Sequence, residues 1–102
     1  MSSVKTLTAT GVAAETFAIL YGISVTSLIP EPPPSGPLTV EVRNSSSADG
    51  SGDLIARVYL NANGVGMMDQ VLFGDGVQCT KGIAVNVTAN GHTDITVSIE
   101  YD

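Results

Sequence analysis

At 102 residues the chain has the length of one domain, 1–102, because two halves would each be too small to bury a useful core. Hydrophobic residues make up 43% of it, which excludes wholesale disorder, and ten acidic against four basic residues give a formal charge of −6, the wrong sign for gripping a phosphate backbone. Nucleic acid is therefore not an expected partner, and the lone cysteine, Cys79, excludes an internal disulfide and a thiolate zinc site within one chain.

In chain order, a first short strand is expected over Val4 to Ala9. Glu15 interrupts the most apolar part of the N-terminal region and no basic stretch precedes a clean hydrophobic one, so the start does not read as a secretion signal. Phe17 to Val25 carries two periods at once. Phe17, Ile19, Tyr21, Ile23 and Val25 fit a strand, whereas Phe17, Leu20, Tyr21, Val25 and Leu28 fit one face of a helix starting near Ala13. Gly22 and the β-branched Ile23, Val25 and Thr26 favour the strand. The longest run without a charge, Thr16 to Pro30, is shorter than the roughly 18 to 20 residues of a spanning helix, so no membrane association is expected.

All five prolines fall between Pro30 and Pro37, in PEPPPSGP, a stretch expected to be extended, stiff and unable to donate ladder hydrogen bonds. It reads as a spacer or an arm. Beyond it, Leu38, Val40 and Val42 alternate with Thr39, Glu41 and Arg43, the two-residue period of a half-buried strand. Asn44 to Asp53 is small, polar and glycine-rich, a solvated connection leading to a second alternating strand in which Leu54, Ala56, Val58 and Leu60 face inward and Ile55, Arg57 and Tyr59 outward. A further strand is expected over Met68 to Phe73, ended by a bend at Gly74-Asp75-Gly76. Ile83, Val85 and Val87 then alternate with polar or small residues, and Ile95, Val97, Ile99 and Tyr101 alternate with Asp94, Thr96, Ser98 and Glu100. Asn90-Gly91 lies between these two runs and suits a tight turn with positive φ, which predicts that they pair antiparallel as a hairpin.

About seven short strands, turn residues between them and no helices for parallel crossovers predict an all-β fold, an antiparallel β-sandwich of jelly-roll-like or Greek-key type, with a small barrel as the alternative.

No residue pattern in the chain assembles catalytic machinery. His92 is the only histidine; it follows the Asn90-Gly91 turn and is expected to face solvent, with no nucleophile motif to serve. Cys79 has only Lys81 as a nearby base and is expected to be a buried or half-buried small side chain. Asp49 and Asp53 lack the further oxygen ligands and closing glutamate of a calcium loop, and Gly74-Asp75-Gly76 lacks the lysine of a phosphate-cradling one. No metal and no cofactor are expected. Asn86-Val87-Thr88 fits the glycosylation triplet by composition only, since it falls within a predicted strand. Glu41 and Glu100 alternate with core residues on different predicted strands, so they solvate a sheet rather than flank a glycosidic bond.

More telling are apolar residues that the alternation places outward: Leu20, Ile55 and Tyr59, with Met67 and Met68 beside a loop. Together with Pro32, Pro33 and Pro34 of the arm they are the candidate interface with another chain; the alternative is that the domain's own loops shield them.

Four segments carry a resemblance. These are VKTLTATGV from Val4, LYGISVT from Leu20 to Thr26, FGDGVQCTKGIAVNVT from Phe73 to Thr88, and the closing ITVSIEYD. With them the chain resembles, over most of its length, the small β-rich virion proteins of tailed bacteriophages, in particular the capsid decoration or cement proteins. The proline-rich run and the polar loop after Asn44 depart from the shorter forms. The resemblance implies a homotrimer, assembled in the host bacterial cytoplasm, that sits on the capsid exterior of the virion and bridges neighbouring subunits of the major capsid protein. Rival expectations are a head-tail or tail accessory protein and a receptor- or carbohydrate-binding knob. The absence of tryptophan and the count of three tyrosines weigh against the knob, because sugar sites stack on exposed aromatic rings.

Overall fold

A computed structural model describes residues 3–28, 36–60 and 67–102. Eight strands run through them: β1 (Ser3–Leu7), β2 (Gly11–Ala14), β3 (Ala18–Leu28), β4 (Leu38–Asn44), β5 (Asp53–Leu60), β6 (Met67–Cys79), β7 (Ile83–Thr88) and β8 (Thr93–Tyr101). They form two four-stranded sheets, β1-β8-β3-β6 and β2-β7-β4-β5, in which every neighbouring pair is antiparallel. The first strand pairs with the last, the second with the seventh, the third with the sixth and the fourth with the fifth. That is one long antiparallel ribbon whose tip is the β4–β5 hairpin; it is rolled up so that β8 meets β3 and β7 meets β4. The result is a jelly roll.

Strand formation follows from the alternation. Leu38, Val40 and Val42 of β4 and Val97 and Ile99 of β8 are wholly buried, while Thr39, Glu41, Ser98 and Glu100 between them face outward. The core between the sheets joins Leu20, Ile23 and Val25 of β3 to Val58 and Leu60 of β5 and Ile83 and Val85 of β7. It is built almost wholly from β-branched and leucine side chains, the residues that pack on a pleated surface. Burying each from the unfolded chain contributes about 1.5–3 kcal/mol, which offsets much of the cost of ordering the backbone.

The strand favoured over Phe17 to Val25 forms as β3 in place of the alternative helix starting near Ala13, and β2 at Gly11–Ala14 is a strand the alternation did not reveal. Three expectations change. The apolar phase of β3 shifts midway, because Leu20 pairs with Tyr101 and Gly22 with Glu100, leaving Tyr21 as an extra residue. Leu20 is therefore in the core with no exposed surface, not outward, since one added residue moves a side chain to the other face. Strand β6 does not end at Gly74. Its register jumps from Leu72 to Val77, so that Phe73 to Gly76 bulge opposite Tyr21 and the strand continues to Cys79. Finally, β7 and β8 do not pair. The turn between them closes as foreseen, with φ of 50° at Asn90 and 96° at Gly91 and the His92 N–H donating to the Ala89 carbonyl, 3.0 Å. Yet it hands the chain from one sheet to the other, because β4 and β2 already flank β7, and β3 and β1 flank β8.

Candidate functional surface

Cross-strand register stacks three rows on the outer face of the β2-β7-β4-β5 sheet. Asn86, Glu41 and Arg57 form the middle row, Thr88, Thr39 and Tyr59 lie on one side, and Ala84, Arg43 and Leu54 on the other. Both Arg57 Nε and Nη2 donate to Glu41 Oε2, at 3.0 and 2.6 Å, and Arg43 Nη2 reaches the same oxygen at 3.4 Å. Hydrogen bonding from Arg57, helped by the charges of Arg57 and Arg43, holds the Glu41 carboxyl below the usual glutamate range against a smaller opposing effect of desolvation. Two of the chain's four cations thus converge on one carboxylate.

The β4–β5 loop folds back over one end of this face. Arg43 Nη1 donates to the Gly52 carbonyl at 3.1 Å and Asn86 Nδ2 to that of Ala48 at 3.0 Å. Ala84, although on the outward side, is fully buried. The loop is thus more than a solvated connection. Arg43 Nε and Asn86 Oδ1 are buried beneath it without a protein partner.

Of the residues expected at an interface, Tyr59 is exposed, 53%, next to Arg57. Ile55 is half-buried and packs against the core: between the pairs Val42–Ala56 and Arg43–Leu54 it is the extra residue of a bulge, and Leu54 takes the outward position, 42% exposed. Met67 and Met68 lie at the start of β6, and their side chains are outside the described set. Pro32, Pro33 and Pro34 also lie outside the described residues. Val4, Leu72 and Phe17 are exposed apolar residues that the pattern did not single out. The unbroken apolar run VLF hides which face Leu72 takes, and Val4 sits on an edge strand where the period carries little information.

On the outer face of the other sheet, Val4, Glu100, Gly22 and Leu72 form one row across β1, β8, β3 and β6. With Ser98, Ser24 and Gln70 of the next row they line a groove of about 120 Å³. Glu41 and Glu100, expected to solvate a sheet rather than act as a pair, are therefore on opposite faces of the molecule.

His92 does not face solvent. It is 5% exposed, with Nδ1 3.2 Å from Ser27 Oγ and Nε2 3.1 Å from the Gly36 carbonyl oxygen. A carbonyl only accepts, so Nε2 carries the hydrogen and Nδ1 receives the Ser27 hydroxyl. Asn90 Nδ2 adds a hydrogen bond to the Pro37 carbonyl, 2.8 Å. The turn chosen by its Asn-Gly chemistry is thereby a clasp on both ends of the proline-rich segment. Cys79 is buried, as expected, and burial pushes its thiol pKa up. Asp49 accepts the Ser51 N–H at 2.9 Å and the Ser51 hydroxyl, an internal loop brace that lowers its pKa. Among the described residues no three His, Cys, Asp or Glu side chains converge, and no helix is long and apolar enough to cross a membrane.

No family model, curated protein or solved structure matches the chain.

Proposed function

We propose that this protein is a virion structural protein, a decoration or cement protein that binds the outside of a phage head as a homotrimer and stabilises junctions of the major capsid protein. The observation that carries the binding role is the Tyr59, Arg57, Glu41 and Leu54 patch on a rigid sheet face. Tyrosine and arginine are enriched where proteins meet, and a charged centre flanked by exposed apolar groups suits an interface that must also dissolve as a free subunit. The jelly roll recurs in capsid and lectin domains, which supports the reading by fold-level analogy only. The sequence resemblance to decoration proteins supplies the specific partner. Each copy adds a few kcal/mol at a subunit junction, and many copies together oppose the pressure of packed DNA.

Copy number per particle is the decisive test. A decoration protein co-sediments with expanded heads in hundreds of copies, a number on the order expected of repeated icosahedral sites, and heads lacking it burst at lower temperature. Tyr59→Ala combined with Arg57→Ala should weaken head binding by about tenfold or more, as loss of a central aromatic and arginine does at other interfaces. A handful of copies would point to a head-tail or tail accessory role. The exposed ring of Tyr59 beside Arg57 favours a receptor- or carbohydrate-binding knob as the second reading, for which glycan binding by the free protein is the mark.

A further inference from the structure

The groove on the β1-β8-β3-β6 face lies on the opposite side of the molecule from the tyrosine patch. At about 120 Å³ it is well below the roughly 300–1,000 Å³ of small-molecule sites, a size that suits a single side chain. Its walls are apolar: Val4 is 64% and Leu72 70% exposed, and Gly22 leaves the floor open between them. Leu72 leans over that floor, with its Cδ2 3.3 Å from where a Cβ on Gly22 would stand. Glu100 sits beside Gly22 in the same row, and its carboxylate has no hydrogen-bond or ion-pair partner among the described residues. Arg43 and Arg57 are held by Glu41 on the far face, and Lys5 pairs in register with the inward-facing Ile99, which puts it on the other side of the sheet.

We propose that this groove binds a lysine side chain presented by a partner protein. Exposed apolar walls accept the aliphatic stem that lysine lays along such surfaces, and the unpaired carboxylate takes the charged head. The hydroxyls of Ser24 and Ser98 line the same groove, so the three donors of an ammonium each find an acceptor, whereas a planar guanidinium fork is built for a carboxylate held edge-on. The proposal relies on the decoration reading for its partner but not for its site; on a phage head, the surface facing this sheet would present lysines.

The test is an NMR titration of the full, isotope-labelled chain with N-acetyl-lysine methylamide, its norleucine analogue and its arginine analogue. Lysine should perturb the amides of Gly22, Ser24, Ser98 and Glu100. Norleucine, and lysine on the Glu100→Gln variant, should each bind about fivefold more weakly, the loss expected for one exposed ion pair. Because the spectrum of the variant reports its own fold, a folding failure is visible at once. Equal binding of lysine and norleucine, tighter binding of arginine, or shifts centred elsewhere would overturn the proposal. Expanded heads separate it from the broader reading. If wild-type and Glu100→Gln chains bind heads equally well, the groove fails as a contact with head lysines and the decoration role stands. If lysine finds the groove but wild-type chain ignores heads, the site stands and the decoration role fails.

Discussion

His92 shows how much one buried polar side chain can organise. Both ring nitrogens are engaged, one by Ser27 at the end of β3 and one by the Gly36 carbonyl just before β4, so a single imidazole ties two sheets and two chain segments together. Replacing it with alanine leaves a buried hydroxyl and a carbonyl unsatisfied, and His92→Ala should lower unfolding stability by about 1–3 kcal/mol in urea denaturation. Ser27→Ala should cost less, because Nε2 keeps its partner. Cys79 provides a probe of the same core. It is fully buried and its thiol is pushed up by desolvation, so an aromatic disulfide reagent should label it only as the protein unfolds, with labelling tracking the denaturation curve.

At the level of strands, the decisive features are the irregular ones. Gly76 in the β6 bulge has φ of 88°, and a Cβ there would stand 2.5 Å from Ile19 Cγ2 and 2.9 Å from Tyr21 Cε1. Gly76→Ala therefore meets both backbone strain and a clash, and should destabilise by about 1–3 kcal/mol, measurable as a lower denaturant midpoint with unchanged slope. The Glu41 cluster gives an acid dependence whose sign follows from its lowered pKa. Because the folded-state value lies below that of the unfolded chain, its stabilisation is present above the ordinary glutamate range and is lost as pH falls through the depressed native value. Glu41→Gln should flatten the acid limb of the stability–pH curve; an unchanged limb would show that the pair contributes nothing. The effect should be modest, because the pair is solvent-accessible and screened by salt.

For the molecule as a whole, the rolled ribbon joins β1 to β8 at the two ends of the described chain, and only the β4–β5 hairpin is local. Such non-local pairing is slow to find, so refolding after rapid dilution from urea should occupy milliseconds to seconds rather than microseconds. Open sheets also have edges to guard. Lys5 on β1 and Asp69 on β6 pair in register with the core residues Ile99 and Val25, which places charges on the inner side of both edge strands of one sheet. Inward charges of this kind discourage uncontrolled strand addition and leave the outer faces, with the Tyr59 patch and the Glu100 groove, as the surfaces for specific contact.

The antiparallel all-β class and the inward sets of β4 and β8 are legible residue by residue, because alternation of Leu38, Val40 and Val42 or of Val97 and Ile99 is a local property that one burial decision satisfies, whereas β2 carries no such signal. The tight turn at Asn90-Gly91 is legible too, since positive φ is a property of those residues. Long-range packing makes this turn cross between sheets, places Leu20 in the core and Leu54 on the surface, and makes His92 a clasp. Bulges shift the two-residue phase by one residue, and partners distant along the chain, such as Ser27 and Gly36 for His92, leave no local mark. The groove around Glu100 belongs to the same class: four strands far apart in the chain contribute to it, and register alone brings Val4, Glu100, Gly22 and Leu72 into one row.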